Sequence, residues 1–294
     1  MGVVKAQLRV RSRGLGTEVL PLLPFFIFTG FFLMWPVIAV TLQSFKGNDN
    51  QWTLDNFRPI IHGGPYFHSF IVSIKLALIT AAIGAVIGAF FAFVIVTYVR
   101  GRMRNVIDSV SAVFANSGGV PLAFMFIAAF GSNGLATKFI RFLGYDIYAG
   151  HFTIFSFTGV VAVYTFFQAP LMILVFQPAI TGMRKEWREA STNLGASALT
   201  YWRRVGIPIL LPPFIGAFFL LFAGGFSAYA TARALTSGTV SIVPIVIGAL
   251  VDGNTQATQT NLGASLAVGM IVVAIVVMSG YIWAQRRSAK WRKL

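Results

Sequence analysis

The chain has 294 residues, 56% of them hydrophobic and only 11% charged, with a mean hydropathy of +0.77. A soluble domain carries about 25% charged residues, so this composition excludes an ordinary water-soluble fold and indicates an all-α integral membrane protein. Cysteine is absent, which removes disulfides and thiolate metal sites, and the net charge of +15 raises a nucleic-acid role that the placement of the charges then argues against.

Each crossing needs about 20 apolar residues to cover ~30 Å of hydrocarbon, so the length allows about six spans. A basic lead (Lys5, Arg9, Arg11, Arg13) precedes the first, predicted at 19–44. That run is longer than the roughly 7–15 apolar residues of a signal peptide, so it is expected to be retained. The second span, 68–98, carries Gly84 and Gly88 as GxxxG, a spacing that lets helix backbones approach closely; packing within this chain is the expected use. Lys75 in the same span either snorkels to the outer interface or lines a solute path. The third span, 109–130, is interrupted by Asn116, Ser117, Gly118, Gly119 and Pro121. Such breaks are tolerated where they face protein or a wet cavity.

The fourth span, 152–177, contains Tyr164 and Gln168, and a polar stretch over 182–208 follows it. The fifth, 206–230, includes FAGGFSAYA, where two glycines permit a bend beside Ser227 and Tyr229. Val240–Val251 is too short to cross and contains Pro244, so it reads as a re-entrant or surface-lying helix. The sixth span is predicted at 263–284. Domain boundaries follow as 1–67 (tail, first span and external loop), 68–285 (a five-span core) and 286–294 (a basic tail). The few polar groups within spans, Asn116, Ser117, Gln168, Ser227 and Tyr229, are candidates to touch a solute, and each could equally satisfy a neighbouring helix.

With the N-terminus cytoplasmic, the inside segments hold the basic lead, Arg100–Arg104, the 184–204 cluster and the Arg286–Lys293 tail, whereas the outside loops hold only Lys46, Arg58, Lys138, Arg141 and Arg233. Lysine and arginine gather on the cytoplasmic side, so both termini and the 182–208 stretch are expected there. The high charge thus reflects topology.

Within 182–208, Gly195 can take the left-handed backbone that ends a helix, and Ser197 can cap a second helix. That second helix is expected to stop near Ile207, because Pro208 disfavours helix before it. A plain surface helix would carry Lys185 and Glu189 as an i,i+4 pair. The pattern goes further. Glu189-Ala190-Ser191, three residues, Gly195, nine residues and Val205-Gly206-Ile207-Pro208 resemble the EAA loop of ABC-importer permeases. The departures are Ser191 for alanine, Val205 for isoleucine and Ile207 for leucine, with all spacing kept. TLDNFRPII (53–61) followed by HSFIVSIKLALITAAIGAVIGAFFAFVIV (68–96) resembles the start of the permease core. GGVPLAFMFIAAFG (118–131) and ALTSGTVSIVPIVIGALV (234–251) resemble the branch serving polyamines, ferric iron, phosphonates or related solutes, while sugar permeases share the overall plan.

The resemblance implies a type I importer permease fold of six transmembrane helices with a cytoplasmic coupling helix, in a bacterial cytoplasmic membrane. It implies two ATP-binding cassette ATPase subunits, a second permease, identical or related, and an external solute-binding protein. Glu189, Ala190, Gly195 and Pro208 would form the ATPase-coupling loop. Tyr201 and Trp202 are added as groove-filling anchors. The chain lacks a phosphate loop, so ATP and magnesium belong to the partner ATPase, and the permease itself is expected to be non-catalytic and free of cofactors. His62, His68 and His151 have no metal-ligand spacing. A gradient-driven transporter would need an acid within a span or an inverted repeat; an intramembrane enzyme would need a catalytic cluster. None of these is seen, and a non-transporting anchor would leave the permease-like layout unexplained.

Overall fold

The computed structural model describes residues 22–47, 49–150, 152–252 and 260–289. The basic lead, His151 and residues 290–294 of the basic tail lie outside them. The described chain is helical, with one isolated bridge between Lys46 and Trp52. In chain order the helices of seven or more residues are α1 Leu23–Ser44, α2 Pro65–Tyr98, α3 Arg102–Ala115, α4 Val120–Phe130, α5 Leu135–Phe142, α6 Phe157–Thr181, α7 Lys185–Asn193, α8 Ala198–Ser227, α9 Ala230–Thr236, α10 Val243–Val251 and α11 Thr260–Ala289. Among the described residues six stretches are long and apolar enough to cross a membrane, α4 and α5 counting together as Val120–Phe142.

The centre is a packed trio of α2, α6 and α8. Proline starts α2, where its missing N–H costs nothing, and its 34 residues extend about 51 Å at ~1.5 Å per residue. Small residues Ala77, Ala81, Ala85 and Ala92 are fully buried along it. A Cβ on Gly84 would lie 2.9 Å from Cβ of Gln168, and one on Gly88 would overlap Met172 and lie 2.5 Å from the Ala169 carbonyl. The glycine pair therefore seats α2 on α6 within this chain. Because lipid is as apolar as a leucine side chain, such close backbone packing, more than apolar burial, drives association here.

α1 stands apart from this core. Its C-terminal end is held where the Ser44 carbonyl accepts from Asn56 Nδ2 (2.9 Å) and Ser265 Oγ (3.3 Å). Its phenylalanines 25, 26, 28, 31 and 32 and Trp35 are exposed, as expected of a lipid-facing surface. In the loop after α5, Asp146 pairs with Arg141 at 3.2 Å. The Tyr148 backbone N–H and the Arg141 side chain both bond its carboxylate and hold its pKa below the usual range.

The break expected within 109–130 is found at Asn116–Gly119, between α3 and α4, where Gly119 has φ +97, although the stretch apolar and long enough to cross is Val120–Phe142. One expectation is corrected and, of two alternatives for 240–251, one is set aside. The helix predicted to stop near Ile207 does not stop. The α-helix Ala198–Tyr201, a π-helical turn Trp202–Gly206 and the α-helix Ile207–Ser227 run on as α8. The Pro208 ring cannot tolerate a regular turn before it, and widening that turn so that Ile207 N–H reaches the Trp202 carbonyl relieves the clash. α10 is not surface-lying: Val243, Pro244, Ile245 and Leu250 are buried, and Ser73 Oγ of α2 accepts from the Val243 N–H at 2.8 Å.

Candidate functional site

The 182–208 loop leaves the bundle as α6 ends at Thr181, and after three intervening residues α7 begins at Lys185. At its end Gly195 takes φ +75, its N–H bonds the Thr192 carbonyl (2.9 Å), and Ala196 N–H bonds the Ser191 carbonyl (3.0 Å). That left-handed turn satisfies the last carbonyls of α7 and lets the chain reverse. Ser197 then caps α8, accepting from Thr200 N–H at 3.2 Å. Both local expectations hold.

No residue from Arg184 to Leu199 is buried. Glu189 and Ala190 are exposed, and Glu189 makes no ion pair among the described residues; the expected Lys185 partnership is not formed. Leu194 and Leu199 are 87% and 79% exposed, which is unusual for leucines on a polar loop outside the bundle. Tyr201 and Trp202 point the other way. Tyr201 is buried, and Trp202 packs edge-on against Phe93 of α2 at 5.4 Å and against Tyr201 at 5.7 Å. Gly206 permits this, since a Cβ there would overlap the Trp202 ring. These aromatics brace the return of the loop onto α2, and the most exposed apolar surface belongs to Leu194 and Leu199. Pro208 is exposed in the first turn of the α-helical part of α8.

The intramembrane candidates divide into two groups. Asn116 and Ser117, at the break between α3 and α4, bond back to Ala112 (2.9 Å) and Val113 (2.6 Å). Thr231 of α9 fastens that break, accepting from Gly119 N–H at 2.7 Å and donating to the Gly119 carbonyl at 3.2 Å. Ser227 and Tyr229 flank the matching break between α8 and α9, where Tyr164 Oη donates to the Ala228 carbonyl at 2.8 Å. Two helix interruptions are thus brought together through Thr231, with Asn116, Ser227 and Tyr229 exposed beside them. Gln168 is elsewhere, buried between α2 and α8, its amide donating to Thr80 Oγ1 (3.2 Å) and the Leu221 carbonyl (3.4 Å). It has no open face in this chain. Thr231 escaped sequence reasoning because a threonine after an alanine carries no signal of a bond across 112 residues.

The model of the family described as "binding-protein-dependent transport system inner membrane component" matches residues 84–293. The chain belongs to this family. Among curated relatives, the permease is 25% identical over 213 residues to a probable sulfate transport system permease protein cysT of Helicosporidium sp. subsp. Simulium jonesii, covering 71% of this chain and 72% of that protein. It is 26% identical over 219 residues to the molybdenum transport system permease protein ModB of Mycobacterium tuberculosis (strain ATCC 25618 / H37Rv), covering 72% and 77%. Among solved structures, a chain of the bacterial alginate ABC transporter, in complex with an alginate pentasaccharide-bound periplasmic protein, superposes with a TM-score of 0.70 at 16% identity over 94% of each chain. A chain of the inward-facing MetNI methionine ABC transporter gives 0.57 at 14% identity, over 76% of this permease and 95% of that chain. The all-α fold of an ABC-importer permease is therefore that of this chain.

Proposed function

We propose that this permease subunit carries a small oxyanion inward by alternating access, driven through the Glu189–Pro208 loop by ATPase subunits docked on its cytoplasmic face. The observation that carries the coupling reading is that no residue from Arg184 to Leu199 is buried, on a loop continuous at both ends with core helices α6 and α8. A force applied to α7 reaches the central trio through covalent structure. Six spans with few polar groups do not enclose a path alone, so the working unit holds two permeases, with two ATPases inside and a solute-binding protein outside. Both termini are cytoplasmic. ATP binding favours one conformation over the other and so shifts the population.

Solute charge follows from the distribution of ionisable groups. No aspartate or glutamate lies deep within a described span, whereas Arg233, half-buried in α9 between the two helix interruptions, has no ion-pair partner among the described residues. A desolvated polyamine or ferric ion would need carboxylates along the way, and a phosphonate-, sulfate- or molybdate-like anion would not. The likeness to sulfate and molybdenum permeases supports the same class. The test is uptake by the reconstituted complex. Glu189→Lys should abolish uptake and the stimulation of ATP hydrolysis by the loaded binding protein while the complex still assembles; unchanged stimulation would overturn the coupling role. Competition by excess sulfate, molybdate or phosphonate, with none by putrescine or a disaccharide, is expected, and the reverse would overturn the anion reading.

A further inference from the structure

One turn above the cytoplasmic loop, four side chains close a ring between α3 and the end of α6. Gln177, 6% exposed, donates from Nε2 to Asp108 Oδ1 at 2.8 Å. Asp108 Oδ2 faces Arg104 Nε at 3.8 Å, Arg104 Nη2 reaches Thr181 Oγ1 at 3.4 Å, and Thr181 Oγ1 donates to the Gln177 carbonyl at 3.0 Å. The ion pair is about one-third exposed on each side, so its weight comes from the shorter, more buried amide–carboxylate bond. Beside the ring, the cytoplasmic half of α3 is held by Ile107, half-buried against the core. Ser111 is the only buried residue of α3, whose outer half meets α6 through Phe114 edge-on to Phe166 at 5.1 Å. At its far end, α3 stops at the Asn116–Gly119 break that Thr231 fastens to α9.

We infer that the Gln177–Asp108–Arg104–Thr181 ring is a positioning device that makes α3 follow the loop-bearing end of α6, so that loop movement reaches the break beside the candidate path. This rests on the coupling reading above. A helix held by apolar contact alone slides easily against its neighbour in lipid, whereas a bond from a buried amide to a carboxylate has one geometry. The ring therefore fixes α3 where the loop acts, while the rest of α3 presents an exposed or half-buried surface.

The chain has no cysteine, so spin labels can be placed singly on the assembled complex. Labels at Asn105→Cys on α3 and Asn193→Cys on α7 report whether α3 follows the loop; labels at Asn193→Cys and Ser132→Cys report whether the loop moves at all. On adding ATP, the 193–132 distance should shift and the 105–193 distance should not. In Gln177→Met, and in Asp108→Ala should Gln177→Met fail to assemble, the 105–193 distance should shift or broaden with ATP. The reversed pair Asp108→Asn with Gln177→Glu, in which the amide donates from the other side, should restore a fixed distance. A 105–193 distance indifferent to both single substitutions overturns the ring's role while leaving the loop's role standing. A 193–132 distance indifferent to ATP overturns both.

Discussion

Gly224 and Gly225 are neighbours in α8 with opposite surroundings. A Cβ on Gly225 would lie 2.7 Å from Gln168 Nε2 and 3.2 Å from Thr80 Oγ1, whereas one on Gly224 meets nothing within 4 Å. Gly225→Ala should push Gln168 off its bonds to Thr80 and Leu221 and lower stability by about 1–3 kcal/mol, the usual cost of overpacking. Gly224→Ala should be neutral or gain up to ~1 kcal/mol of helix propensity. Thermal unfolding of the purified complex separates the two. The sequence marks this pair only as a place where a helix can bend beside Ser227 and Tyr229. Which glycine is obligatory depends on Gln168, 57 positions earlier in the chain, arriving through the α6–α8 contact. Likewise Gln168 is legible as a polar residue within a span, but its use as a three-helix tie rather than a solute contact is a matter of packing.

Among the elements, α8 departs most from its reading. Pro208 does mark a change of structure, as its lack of an N–H and its bulky ring require, but the helix absorbs the proline by inserting a π turn instead of ending. The extra residue in that turn rotates Ala198–Tyr201 by about 100° relative to the membrane part of α8, given 3.6 residues per turn. Trp202 then lands on Phe93 with Gly206 beneath it. Pro208→Ala removes the reason for the π turn. The fold should survive with equal or greater thermal stability, while the loop is presented at the wrong angle and stimulation of ATP hydrolysis by the loaded binding protein falls. Full stimulation in Pro208→Ala would show that the angle set by the turn is irrelevant to coupling. The loop itself was more legible, because Gly195 and Ser197 act within three or four residues of themselves.

For the whole molecule, six crossings place residues 102–108 and the Lys185–Asn193 helix on one side and the loop after α5 on the other. The excess of lysine and arginine predicts that the former side is cytoplasmic. A cysteine at Ala149 should react with an impermeant maleimide added to intact cells, and one at Asn105 only after the membrane is opened. The opposite pattern would invert the topology and remove the coupling role from the loop. The exposed breaks beside Asn116 and Tyr229 fit a subunit that completes its path with a second permease. Native mass spectrometry of the gently extracted complex should therefore find two permease chains; a single one would leave the path open to lipid and overturn that assembly.

The sequence by itself determined the features that follow from local chemistry and from the cost of burying charge. These are the number of crossings, the left-handed glycine and serine cap of the loop, and the spacing that resembles the permease family. They are legible because hydrocarbon thickness and turn stereochemistry act over short, contiguous stretches. Only the tertiary structure decided which polar groups are ties and which stay open. Gln168 is closed off between helices, Thr231 joins two breaks, and Asp108 and Gln177 meet 69 residues apart. In a membrane nearly every span is apolar all round, so no hydrophobic stripe announces which face meets which neighbour. The pairing is set by small residues and scattered hydrogen bonds, whose partners are known only once the helices have been brought together.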